Sequence, residues 1–595
     1  MIFAKFLRRL QIMTTFHIQQ FGCRATQADG AALERQLLDR GYTPAPDPAT
    51  ASIVVLNTCT VTAAADAQAR DAIRKIHAHN PAAQLIVTGC YAQRAPEELA
   101  TLPGVSWVVG NSHKPQIPAL ITQIVPVPIN SVGAGLAPPS APHIAPIAAT
   151  GASQSVNVIP GEARNPLFPP TPPPAPSHLV GTQFIAPIPR TISNPSHSPH
   201  PAQILSVDIF AHPEFLSAPI QGGESQHTRP ILKIQDGCNN RCSFCVIPYV
   251  RGKSRSLAPD AVIREINSLV AQALLPVPSP SSQPSQGVLP TPGPVGQPIL
   301  AVSSSISSTS STSSISSREI VLSGINLGTY GRDLSPRSDL LELLRRILDE
   351  TPLERLRISS IEPQDVTQDL IDLFASTDHI AQHFHMPLQS ASDPILAAMH
   401  RWYRSEHYVR RLDLIHDRLP HAAIGADVIA GFPGESESDH AATLNFIDRH
   451  RFTYLHVFSY SPRPGTKAAS MPNQVPAATI KRRARELRAL SESKSAAFRH
   501  SQLHRTLRVL TLNRRESPES VHPASEHAGT SSSSVTAYTP ALSSNYLRVQ
   551  VLGIHPSNQW QDVVITAEEG NYVIAEPVRT FTELSVSSVL SASSV

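Results

Sequence analysis

The sequence predicts an α/β chain built in three pieces: an N-terminal open parallel α/β domain, an open partial (β/α)6 barrel, and a C-terminal small β-barrel. Three observations carry this. Strand-like runs alternate with helical periodicity over residues 13–125 and again over 227–480. A basic helix over 481–502 then leads into short alternating runs over 503–580. Proline, 56 of 595 residues, is concentrated in stretches that lack periodicity and separate these pieces.

The opening residues 1–12 are basic but hold neither a long apolar run nor a small-residue cleavage site, so they read as an extension rather than a signal peptide, with Met13 as a candidate start. Within the first piece, strands are expected at 14–19, 52–56, 84–88 and 107–109, with helices at 26–40, 64–79 and 95–100. Residues 126–226 are rich in Pro, Ala, Ser and Ile and read as a disordered insertion, because such a stretch buries too little apolar surface to offset its ordering entropy. The barrel strands are expected at 231–235, 319–323, 355–360, 383–387, 424–430 and 454–459. Helices are expected between them at 258–272, 339–350, 367–375, 394–400 with 405–418, and 438–448. A second Pro/Ser-rich insertion, 274–317, falls between the first barrel helix and the second strand, away from the strands' carboxyl ends. A helix over 477–500 precedes strands at 507–512, 546–552 and 562–566; residues 516–534 form a smaller insertion and 581–595 a disordered tail.

Net charge is +3, so no global field announces a polyanionic partner and any basic surface must be local. No segment approaches twenty apolar residues, so no membrane span is expected. The six cysteines fall into two groups of three, which favours metal binding in a reducing compartment, hence a cytoplasmic location, over a disulfide framework.

Cys238, Cys242 and Cys245 stand in a C-x-x-x-C-x-x-C pattern on one loop after the strand at 231–235. Three thiolates this close can hold three corners of an iron–sulfur cube and leave the fourth iron open to a small molecule. A zinc site needs four ligands, and only Asp236 offers itself nearby; a disulfide would strand one thiol. Cys23, Cys59 and Cys90 each follow a strand of the first piece. In an open parallel sheet such loops gather along one edge, so the three converge as a second cluster site; the alternative is three unrelated core thiols.

Barrel chemistry sits at the carboxyl ends of strands. That makes Gly324, Asn326, Ser360, Glu362, Gln389, Asp427 and Gly431 candidates for lining a ligand pocket. Eleven Lys and Arg between residues 481 and 515 face only two Glu, and with Arg548 this suits a nucleic-acid backbone. The candidates are Lys481, Arg482, Arg483, Arg485, Arg508 and Arg548, against the alternative of a solvated charged helix.

The order of pieces and cysteines resembles the radical S-adenosylmethionine (SAM) methylthiotransferase family, and the last piece, through Ser544-Asn545-Tyr546-Leu547-Arg548-Val549, resembles the TRAM module. The wording at 233–238, 357–363 and 456–466 is most similar to the class acting on N6-threonylcarbamoyladenosine beside the tRNA anticodon. The isopentenyladenosine and ribosomal-protein classes are alternatives, as is a non-enzymatic metal-cluster RNA-binding protein. The resemblance implies that Cys238, Cys242 and Cys245 hold a 4Fe–4S cluster whose free iron chelates SAM. One electron then yields a 5′-deoxyadenosyl radical that abstracts hydrogen from C2 of the base. It further implies that Cys23, Cys59 and Cys90 hold a second 4Fe–4S cluster carrying the sulfur, that a second SAM gives the methyl group, and that an electron donor and a sulfur source are partners besides tRNA.

Overall fold

The computed structural model describes residues 14–124, 202–211, 228–271, 317–513 and 537–578. The N-terminal domain runs β1 (Thr15–Gln20), α1 (Arg24–Leu38), β2 (Thr43–Pro44), β3 (Ile53–Thr58), α2 (Ala63–His79), β4 (Gln84–Gly89), α3 (Cys90–Arg94), α4 (Pro96–Ala100), β5 (Val105–Gly110), α5 (Ile117–Ile124) and β6 (Gln203–Leu205). Its sheet has the order β2-β1-β3-β4-β5-β6, and every pairing is parallel. All six residues of β3 are buried, as a central strand covered on both faces requires.

β6 corrects the expected disorder of 126–226. Residues 203–205 pair with β5 and the side chain of Gln93 donates to Val207 O at 2.9 Å. Three residues are too few to display an alternating pattern, so this edge strand leaves no readable periodicity. Residues 126–201 and 212–226, the stretch 274–316, residues 516–534 and both termini (1–12 and 581–595) lie outside the described residues.

The second domain runs β7 (Ile231–Lys233), β8 (Gln235–Asp236), α6 (Ile247–Arg251), β9 (Arg255–Ser256), α7 (Pro259–Ala271), β10 (Glu319–Ser323), α8 (Leu340–Glu350), β11 (Arg355–Ile358), α9 (Gln368–Ala375), β12 (His383–His385), α10 (Asp393–Ala398), α11 (Ser405–Arg418), β13 (Ala423–Ala430), α12 (Glu437–Arg449) and β14 (Tyr454–Ser459). The parallel strands β7, β10 and β11 form one half and β12, β13 and β14 the other, with a parallel bridge from Leu356 to Ile380 across the seam. Six strands thus follow one another in chain order as an open partial barrel. Its helices pack outside by apolar stripes; in α8, Leu340, Leu343, Leu344 and Ile347 are buried at helical spacing, and the side chain of Asp339 caps the start by accepting from Glu342 N.

The last piece is α13 (Ala477–His500) followed by β15 (Thr506–Thr511), β16 (Tyr538–Ser543), β17 (Arg548–Leu552), β18 (Trp560–Glu569) and β19 (Tyr572–Pro577). The strands close a barrel in the order β15-β16-β17-β19-β18. The run expected to be a strand from residue 546 begins at Arg548, because 543–547 is a tight turn in which Tyr546 takes a φ of +64°. β16 and β19 were not expected; β16 carries Pro540, a residue that weakens a strand reading.

Candidate active site

The loop after β8 is fixed by backbone contacts before any ligand is considered. Gly237 has a φ of +70°, and a Cβ there would lie 2.0 Å from Lys253 O, so glycine lets Cys238 N reach Gly252 O at 3.1 Å. Ser243 N donates to Met399 O at 3.1 Å and Ser243 Oγ to Ala398 O at 2.8 Å, tying the loop to the far half of the barrel. The sulfurs take weak hydrogen bonds: Asn240 N and Asn326 Nδ2 donate to Cys238 Sγ at 3.4 and 3.8 Å, and Arg401 Nη1 to Cys242 Sγ at 3.4 Å. Burial, then the neighbouring Cys242 thiol, pushes Cys245 up to about 12, and burial also raises Cys238. Asp236 is not free to act as a fourth ligand. It is buried between Lys233 (3.0 Å) and Arg251 (3.0 Å); burial alone would raise its pKa, but these cations outweigh it and hold the carboxyl well below the usual range.

The second trio forms as the sheet requires. β1, β3 and β4 are neighbours, so Cys23, Cys59 and Cys90 meet at their carboxyl ends. Burial, then Cys90 and Cys23, raises Cys59 to about 12. Gly22, at φ +104°, sits so close that a Cβ would be 2.8 Å from Cys59 Sγ. Asn111 Nδ2 donates to Cys90 Sγ at 3.7 Å and to Val250 O of the barrel at 2.7 Å. Neither trio is tight enough for one ion: among the described residues, the three-ligand group within 4.8 Å is His385, Asp427 and His456. Zinc–sulfur bonds of about 2.3 Å would hold thiolates about 3.8 Å apart, whereas the corners of an iron–sulfur cube stand wider.

Cys23, Cys238, Cys242 and Cys245 line one cavity of about 530 Å³ at the carboxyl ends of the barrel strands. Gly324, Asn326, Ser360, Glu362, Gln389 and Asp427 line it as expected. Buried Asn326 Oδ1 and Ser359 Oγ have no hydrogen-bond partner there. Gln389 is held at φ +61°, a strained conformation for a non-glycine residue. Gly431 is a correction: it is not on the cavity, and a Cβ there would strike Ile480 of α13 at 2.4 Å, so its role is helix packing. Several cavity residues were missed: Arg24, His383, His385, Arg401, Tyr454, His456 and Tyr546. His383 with His385, and Tyr454 with His456, alternate on β12 and β14, a period-2 signal that attention to the strand-end loops passed over. Asp427 Oδ1 lies 3.0 Å from His385 Nε2 and 3.4 Å from His456 Nδ1; burial would raise its pKa, but these bonds hold it well below the carboxylate range.

The basic residues divide. Lys481, Arg485, Arg508 and Arg548 are exposed. Arg482 is shared between Glu437 (2.6 Å) and Glu486 (2.9 Å). Arg483 is a second correction: it is buried, bonded to Glu435 at 2.7 Å and Glu437 at 2.8 Å, and so is not available to a polyanion.

A parallel partial barrel with a three-cysteine loop beyond its first strand, facing a ligand-sized cavity, defines a radical SAM enzyme. Residues 318–447 match the Radical SAM superfamily, and residues 15–110 match the Uncharacterized protein family UPF0004. The chain is 30% identical over 501 residues to threonylcarbamoyladenosine tRNA methylthiotransferase MtaB of Bacillus subtilis, covering 84% of this chain and 85% of the relative. It is 28% identical to the Aquifex aeolicus protein of the same name, covering 83% and 92% of the two chains. It is 29% identical to tRNA-2-methylthio-N(6)-dimethylallyladenosine synthase of Corynebacterium jeikeium, covering 80% and 72%. The chain belongs to the radical SAM methylthiotransferase family. Its cofactors are 4Fe–4S clusters and SAM. Among solved structures, the radical SAM methyltransferase TsrM of Kitasatospora setae aligns with a TM-score of 0.43 and 14% identity over 77% of each chain.

Proposed function

We propose that the chain places a methylthio group on C2 of N6-threonylcarbamoyladenosine at tRNA position 37, beside the anticodon. The observation that carries this is that Cys23, whose trio with Cys59 and Cys90 closes at the sheet edge, lines the same cavity as Cys238, Cys242 and Cys245. The donor sets fit: each offers three thiols spread too widely for one ion, and Asn326 Oδ1 and Ser359 Oγ offer unmet polar atoms where a small polar ligand would lie. When bound, the clusters and SAM supply a 5′-deoxyadenosyl radical on one side and the inserted sulfur on the other. The chain's own residues do the positioning. Cys238, Cys242 and Cys245 would hold the SAM-binding cluster, and Cys23, Cys59 and Cys90 the other. Gly324, Asn326, Ser360, Gln389 and Asp427 would hold SAM's polar groups. Glu362 is bonded to Arg401, which fixes that guanidinium against Cys242 Sγ. Asn326 and Arg401 direct N–H groups at the Cys238 and Cys242 sulfurs, hydrogen bonds that would tune the reduction potential of a cluster held there. The closed C-terminal barrel, with helix α13 before it, acts as a TRAM-like RNA grip in which Lys481 and Arg485 of the helix and Arg508 and Arg548 of the barrel meet phosphates, and a single-stranded anticodon loop can present its base. An electron donor and a sulfur source complete the reaction in the cytoplasm.

Mass spectrometry of tRNA nucleosides from a deletion strain tests the substrate. Loss of the 2-methylthio form of threonylcarbamoyladenosine is expected; loss of the isopentenyl form instead would overturn the reading. Anaerobic reconstitution should give about eight irons per chain, and Cys59→Ala about four. Cys59→Ala should still cleave SAM without inserting sulfur, while Cys238→Ala should cleave none.

A further inference from the structure

One wall of the cavity is made of rings from two domains. His383 lies on Tyr546 with centroids 4.3 Å apart and planes at 16°. Tyr454 stands 6.0 Å from His383 and 5.9 Å from Tyr546. Tyr546 comes from the C-terminal barrel, and its φ of +64° is strained for a bulky residue. The turn that imposes this is clamped: Leu547 N donates to Ser543 Oγ at 2.9 Å, and Arg357 donates to Ser543 O and Ser544 O at 3.0 Å each. A costly backbone conformation, held by a buried arginine, delivers one side chain to the active cavity.

Arg24 joins this wall from the N-terminal domain, one residue after Cys23. The other arginine on the cavity, Arg401, is committed to Glu362 and Cys242. Arg24 has no hydrogen-bond or ion-pair partner among the described residues. Its charge reaches the rings: burial would raise the Tyr546 hydroxyl, but Arg24, then Arg229 and Arg357, outweigh it and lower its pKa. An unmatched guanidinium beside a flat aromatic wall is a receptor for a planar group ending in an anion.

We propose that Arg24 reads the carboxylate of the threonylcarbamoyl chain, with Tyr546 and His383 flanking the chain, so that this wall sets substrate choice. The proposal rests on the tRNA reading above. It adds a selection rule: an apolar N6 substituent would touch the rings but leave Arg24 unmatched, which disfavours it. The competing role for Arg24 is a counter-charge to the Cys23 trio.

Anticodon stem-loop RNAs carrying threonylcarbamoyladenosine or its methyl ester separate these roles. The wild type should prefer the free acid in kcat/KM by about 10- to 100-fold, the size of a charged hydrogen bond. Arg24→Gln should erase that preference by losing rate on the acid and little on the ester, with iron content still at about eight per chain. Arg24→Lys should restore part of it. A preference that survives in Arg24→Gln overturns the proposal, and so does an equal loss on both RNAs with reduced iron, which is the counter-charge result. If the wild type modifies neither RNA, the tRNA reading itself falls and takes this with it; if the wild type and Arg24→Gln modify the acid equally well, only the wall assignment falls.

Discussion

Asp29 shows how much rests on single buried charges. It sits on α1 of the N-terminal domain, and its carboxylate meets Lys114 at 2.8 Å, Arg251 at 3.1 Å, and Lys233. Two of these cations belong to the barrel, so one residue locks two domains directly behind the cysteines. Burial would raise its pKa, but Lys114, Lys233 and Arg251 bring it down from 3.8 to about 2. Asp29→Asn should therefore destabilise the protein by about 3–5 kcal/mol in urea unfolding at neutral pH, because it leaves buried cations unmatched. The pH dependence has a definite sign. A carboxylate depressed on folding contributes fully above its unfolded value of 3.8 and loses that contribution as pH falls toward about 2. The wild type should lose stability across that window, and Asp29→Asn should lose less; equal losses would show that other carboxylates carry the acid sensitivity.

Helix α13 has two faces that look alike in sequence. Arg483, Ala484 and Leu487 are buried against the barrel, while Lys481 and Arg485 face outward. Arg483→Ala should lower the melting temperature, since it strands Glu435. Replacing Lys481 and Arg485 together with alanine should leave melting unchanged but weaken tRNA binding, reducing the slope of log K against log salt by about 2. An unchanged slope would place the RNA elsewhere. The helix itself, residues 477–500, was legible to its ends because its periodicity is local. Which arginine turns inward was not, because Glu435 arrives from another part of the chain. The same division runs through the site. Cys23, Cys59 and Cys90 were readable as a set because each ends a strand. Gly431 was misread because its reason, Ile480, is distant in sequence. Tyr546 was read as strand because alternation cannot reveal a left-handed turn.

At the scale of the molecule, the cavity is shared by three domains: Cys23 and Arg24 from the first, the strand ends from the barrel, and Tyr546 from the last. The C-terminal barrel therefore supplies part of the cavity wall as well as exposed basic residues. Tyr546→Ala should lower kcat at saturating tRNA; a rise in KM alone would reduce the barrel to a grip. Arg355 and Arg357, both bonded to buried Glu319, donate to the carbonyls of Leu542, Ser543 and Ser544, so the barrel is docked through buried polar contacts. This wall also sets an order of events during synthesis. All six cysteines leave the ribosome by residue 245, but Tyr546 emerges far later. A nascent or prematurely ended chain can hold every thiol while its reaction chamber still lacks a side. Translation thus delivers this wall of the cavity last, long after the thiols it faces.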